Sequence, residues 1–156
     1  MTRINSSQLR DGPSSLAICR ARNGEVVVPY LEVACTFLTR LIGLQFRPAL
    51  PPGHGLLLVP CSSIHTACVR FAINVVMLDR AGVVKRVVDN LPPWSGALAP
   101  RGTHAVLELA AGPPTVAVGE QLRLIIRQRP SHHLMRRLDF LSIDLSGDHI
   151  ASKGEL

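Results

Sequence analysis

The sequence predicts an α+β fold that is mainly antiparallel β, a small barrel-like single domain with one short early helix. Three observations carry this expectation. Strand and turn formers dominate, because Val, Gly and Pro are plentiful while Glu and Lys are scarce. Short apolar runs recur, each closed by Gly, Pro or Asn-Gly. One early stretch, residues 36–43, spaces its apolar residues for a helix instead. With 156 residues the chain can bury a core, and at 4% aromatic content that core must be built from Val, Leu, Ile and Ala.

Residues 1–15, with Gly12-Pro13 and paired serines, read as a flexible N-terminal tail. Leu16 to Arg20 is a strand, Asn23-Gly24 a hairpin turn, and Glu25 to Val28 the return strand, continuing to Val33. Pro29 inside it marks an edge or a bulge. Thr36 then suits an N-cap, Phe37, Leu38, Leu41 and Ile42 an apolar stripe, and Gly43 a C-terminal stop. Arg40 falls opposite or beside that stripe. Arg47-Pro48 closes the region and residues 51–55 form a loop. Leu56 to Val59 is a buried strand. Residues 61–69 alternate poorly, whereas 71–78 are apolar on both faces, as in a central covered strand. Asp79-Arg80-Ala81-Gly82 turns it into a hairpin spanning 70–88. A long connection through Pro92-Pro93-Trp94 and Pro100-Arg101-Gly102 leads to strands at Ala105–Leu109 and Leu122–Ile126. The resulting division is 1–15 tail, 16–129 mainly-β domain and 130–156 C-terminal extension, in which HHLMRRLDFL suits a short helix before a tail.

Net charge is +6 and nearly all the positive charge is Arg. That permits nucleic acid, anionic lipid or acidic partners without choosing among them. The acid-free stretch holding Arg123, Arg127, Arg129, Arg136 and Arg137 lacks interleaved aromatics, which argues against nucleic acid. No segment approaches the ~18 apolar residues of a membrane span. The N-terminus has no apolar core behind its charges, so the expected location is the cytoplasm. There, Cys19, Cys35, Cys61 and Cys68 are expected to be buried thiols.

Candidate chemistry gathers before the central strand. Cys61, His65 and Cys68 are soft ligands within eight residues, but on a strand Cys68 points away from the other two and no further ligand pair is at hand. A Cys61 nucleophile would need a histidine, and His65 lies about 13 Å along an extended chain. The more economical reading is a polar patch. His65 and Thr66 sit in apolar surroundings, and Arg70 stands at the mouth of the central strand. Arg40 and Arg47 flank the helix and are placed to converge on the same side. Two or three guanidiniums with a histidine suit a carboxylate or phosphate. The alternative is an internal salt bridge to Glu32 or Glu108. Trp94, the only Trp, is either a contact residue or, as we expect, a lid folded back on the barrel end.

Taken in order, Arg40-x2-Gly43-Leu44-x2-Arg47, Gly55-Leu56-Leu57, IHTACVRFAINVVMLDRAGVV, LPPW, AVLELAAG and Gly119-Glu120 resemble the domain of unknown function 192 family over residues 25–127. The branch resembled has a His-Thr pair before the central strand. The resemblance implies a compact, mainly antiparallel β domain with one helix and no cofactor. Members occur in bacteria and archaea, some with export signals and some beside pilus-assembly or secretion genes. Two positions depart from the family pattern: Asn74 stands where Asp is usual, and Gln45 where Met is usual. Three functions follow as expectations. The first is a non-catalytic module binding a small anionic ligand or a partner's acidic segment. It would use Arg40, Arg47, His65, Thr66 and Arg70, with Asn74, Trp94 and Glu108 as further candidates. The second is a hydrolase or transferase with His65 as general base. The third is an interaction domain of an envelope assembly.

Overall fold

The structure, a computed structural model, describes residues 15–113, 116–128 and 130–144. Strand β1 (Leu16–Arg20) turns through Asn23-Gly24, where Gly24 takes a φ of 71°, into β2 (Val26–Val28). Pro29 has no N–H to continue the ladder. The chain therefore changes sheet there and begins β3 (Tyr30–Ala34).

Helix α1 (Phe37–Ile42) starts where the sequence places it. The Thr36 hydroxyl accepts from Thr39 N–H at 3.2 Å, the Thr39 hydroxyl accepts from Thr36 N–H at 3.0 Å, and Gly43 ends the helix at φ 45°. Because this crossover carries the chain back, β4 (His54–Leu58) pairs parallel to β3, while the other strand pairs among the described residues are antiparallel, in keeping with a mainly antiparallel fold.

There follow β5 (Ser63–His65), β6 (Ile73–Leu78), β7 (Val84–Leu91), β8 (Gly96–Leu98), β9 (Ala105–Ala110), β10 (Leu122–Ile126) and α2 (His132–Leu138). They form a five-stranded sheet β3-β4-β9-β6-β7, a three-stranded sheet β10-β1-β2 and a two-stranded ribbon β5-β8.

All six residues of β6 are buried, Asn74 included, as expected of a strand that is otherwise apolar on both faces. One face of the large sheet (Leu57, Val76, Leu78, Leu107) packs on Leu16, Ile18, Leu122 and Leu124, and on Leu138 and Leu141 from the C-terminal segment. The other face (Leu56, Leu58, Val75, Met77, Val106) is covered by Leu44, Leu50 and Val69.

The fold is thus α+β and mainly β, but the barrel is not closed. The strand sequence breaks at Pro29, and β7 approaches β10 only through the lone bridge Val83↔Gln121. Strands β5 and β8 were not expected, since three residues are too few to show a period. Their pairing, Ile64↔Ala97 with its neighbours, gives order to part of the long connection. At the C-terminal end Ile143 bridges to Leu124, while the expected tail beyond 144 and residues 1–14 lie outside the described residues. Among the described residues no helix is long and apolar enough to cross a membrane.

Gly55 shows how tightly β4 is enclosed. A Cβ there would lie 2.8 Å from Val28 Cγ1 and 3.0 Å from Leu109 Cδ2. Gly55→Ala is expected to cost about 1–2 kcal/mol by overpacking, read as a lower urea midpoint at unchanged slope.

Candidate functional site

Strand β9 carries AVLELA, and alternation sends Leu107 and Leu109 to one face, Val106 and Glu108 to the other. Glu108 is paired in register with Leu56 of β4 and Val75 of β6, so its carboxyl enters an apolar layer. It is 3% exposed, and Oε2 has no hydrogen-bond partner. Burial pushes its pKa up to about 7, against a smaller opposing pull from Arg47.

The end of α1 lies over this carboxyl. A Cβ on Gly43 would stand 3.9 Å from Oε2. Between them is a cavity of about 60 Å³, bounded by Glu108, Gly43, Cys61, Val69, His65 and Arg40. Arg40 flanks the apolar stripe of the helix. That stripe is exposed and Arg40, half-buried, faces the cavity.

The other predicted residues separate. Arg47 makes a two-pronged pair with Glu32 at 3.0 and 2.9 Å, one of the internal salt bridges the sequence allowed. That hydrogen bonding holds the Glu32 carboxyl below its usual range and raises Arg47. Thr66 is fully buried. Its hydroxyl donates to Pro92 O at 2.7 Å and accepts from Ser95 N–H at 2.8 Å, pinning the loop before β8.

Asn74 is buried as well, donating to Gly112 O and accepting from Asn90 N–H, each at 2.9 Å. Arg70 lies at a separate groove of about 500 Å³ with Phe46, Cys68 and Trp94. Trp94 is 73% exposed, so it is not a lid over a barrel end. Its φ of 56° turns it outward at the tip of its turn.

His65, on β5, is exposed, and no side chain among the described residues hydrogen-bonds to it. Cys61 Sγ donates to Ser63 O at 3.0 Å, and burial pushes the thiol up, away from the thiolate a nucleophile needs. Among the described residues no group of three or more His, Cys, Asp or Glu is placed to hold a metal ion. A roomier groove, about 600 Å³, is lined by Arg20, Arg22, Glu120 and Arg123, whose Nε is buried without a hydrogen-bond partner. Its one carboxylate already pairs with Arg20 and Arg22, whereas the Glu108 carboxyl is unpaired inside an apolar layer, which makes the smaller cavity the better candidate.

The sequence grouped Arg40 and His65 in one patch and offered Glu108 as a salt-bridge partner; the cavity brings these three together, without Arg47, Thr66 and Arg70. Cys61 and Gly43 were missed as cavity walls. The readable signal was Glu108 itself, the lone acid in an apolar strand.

The family profile of DUF192, described as an uncharacterized ACR, matches residues 18–124. The chain belongs to the DUF192 family. Solved structures agree at the level of fold. A Novosphingobium aromaticivorans DSM 12444 protein of unknown function superposes with a TM-score of 0.60 at 19% identity, over 69% of this chain and 82% of its own. A Sinorhizobium meliloti 1021 protein, described as a candidate transcription regulator, gives 0.58 at 23% identity, over 69% and 90%. Comparison with curated proteins gives no match. In this DUF192 chain the match spans every strand from β2 to β9, and so includes the whole Glu108 cavity.

Proposed function

We propose that this chain is a non-catalytic binding module whose cavity at Glu108 takes the carboxylate end of a small anionic molecule. The observation that carries this reading is the buried, unpartnered Oε2 of Glu108, facing a cavity with Arg40 on its wall. A buried polar atom without a partner is a cost that a ligand can offset. Below pH about 7 Glu108 holds a proton, so it can donate a hydrogen bond to an incoming carboxylate while Arg40 meets the charge. A volume of about 60 Å³ suits one such group, comparable to two water molecules.

Two other readings have less support. A hydrolase or transferase with His65 as base needs a group that orients the imidazole, and among the described residues no side chain hydrogen-bonds to it. An envelope-assembly role rests on gene neighbourhoods in the resembled family, with no feature of the cavity behind it.

Thermal-shift titration with a panel of small carboxylates tests the proposal. The melting temperature is expected to rise with ligand concentration by mass action, more strongly below the Glu108 pKa of about 7 than above it. Arg40→Ala is expected to lose the rise. Glu108→Gln, which keeps a donor, is expected to retain it without the pH dependence. No rise with any carboxylate, or an equal rise in Arg40→Ala, would reject the proposal.

A further inference from the structure

Helix α1 buries none of its residues. Phe37, Leu38, Leu41 and Ile42 all face outward, Phe37 at 74% exposure. Beside the helix, Phe46 and Trp94 also project and line one groove with Arg70. Their exposure is built in. Both aromatics hold positive φ, 63° for Phe46 and 56° for Trp94, which is unfavourable for bulky side chains. Each is tied down by its backbone: Phe46 N–H donates to Cys68 O at 3.2 Å, and Trp94 N–H to Thr66 O at 3.1 Å. Strained backbone that is hydrogen-bonded so as to point aromatics into solvent calls for a function.

The charge of this face selects its occupant. Segments 36–50, 66–72 and 91–99 contain three arginines and no Asp, Glu or Lys. Arg47 is taken by Glu32, whereas Arg40 and Arg70 have no ion-pair partner among the described residues. We propose that this face docks on an anionic phospholipid surface, with Phe37, Leu38, Phe46 and Trp94 entering the headgroup–acyl boundary and the exposed Arg70 meeting phosphates. Interfacial attachment of this kind combines apolar and aromatic insertion with cationic attraction and needs no spanning segment. A second copy of the chain fits less well. A two-fold contact would set Arg70 of both copies together with no acid in these segments to meet them.

Trp94, the sole Trp, reports directly. The full chain is mixed with phosphatidylcholine vesicles, with and without phosphatidylglycerol, and followed by tryptophan emission and co-sedimentation. Anionic vesicles are expected to shift the emission to the blue and to bind at least about tenfold more tightly than neutral ones, with the gap closing in high salt. Phe46→Ser and Leu38→Gln are each expected to weaken binding about tenfold, the equivalent of about 1.4 kcal/mol. Both positions are exposed, and circular dichroism melts unchanged from wild type confirm that fold is not the cause. The proposal is overturned by unchanged emission at saturating anionic lipid, or by equal binding to both vesicle types. It is also overturned by a lipid-free, concentration-dependent blue shift that tracks a dimer in sedimentation velocity, which would assign the face to self-association.

Discussion

The unfolding free energy of the wild type is expected to fall by about 3 kcal/mol relative to Glu108→Gln as pH rises from 4.5 to about 7. The sign follows from which state holds the proton. The folded-state pKa of Glu108 is raised above the unfolded value, so between these limits the native state binds more protons and stability decreases with pH. Below 4.5 both states are protonated and the contribution is fully present. Above about 7 both are ionised and it is lost.

Other groups titrate too. Glu32 is lowered by its hydrogen bonds to Arg47, so its contribution runs the opposite way and is lost as the medium becomes acidic. His104 is lowered by burial and by Arg80, and its contribution is likewise lost on acidification. Both are present in wild type and variant alike. The informative quantity is therefore the difference between the two urea-unfolding profiles across pH. A constant difference would show that Glu108 does not carry the raised pKa. Glu108→Leu extends the test: on the alkaline side it is expected to exceed wild type in stability, because it removes a buried charge without leaving an unpaired partner.

The fold was legible where a local rule acted alone. Thr36 and Gly43 delimit α1 because capping is a local hydrogen-bond matter, and Ile73–Leu78 announced itself as central because both faces are apolar. What failed was what depends on tertiary placement. The stripe Phe37, Leu38, Leu41, Ile42 has the spacing of a core-facing helix, yet α1 turns those residues to solvent and Arg40 toward the cavity. Periodicity shows that a helix has an apolar side, not that the side is covered. The candidate site was half legible for a similar reason. Arg40, His65 and Glu108 come from three separate segments, and only the β4-β9-β6 register and the crossover at α1 bring them together. Arg47 and Thr66 looked equally suited to a ligand, but Glu32 and the Pro92–Ser95 loop satisfy them within the fold.

Asn74→Asp, which restores the residue usual in the resembled family pattern, is expected to destabilise this chain by about 3 kcal/mol at neutral pH. Asn74 is 3% exposed and uses both ends of its amide. Nδ2 donates to Gly112 O, and Oδ1 accepts from the N–H of Asn90, which sits at a φ of 51° in the irregular part of the β6–β7 ladder. An ionised Asp keeps the second bond. At the first it sets a charged acceptor against a carbonyl oxygen, unable to donate and shielded from water. Acid should relieve this, because a protonated Asp can donate to Gly112 O. Its folded-state pKa would then be raised, so stability is present below the ordinary carboxyl range and lost as pH rises through the folded value. Urea midpoints of Asn74→Asp and wild type across pH check this, and a deficit that does not shrink in acid would sink it. The same bonds bear on Asn74 as a candidate ligand residue. Should Asn74→Asp leave stability intact while altering carboxylate binding, the residue would belong to the site and not to the frame around it.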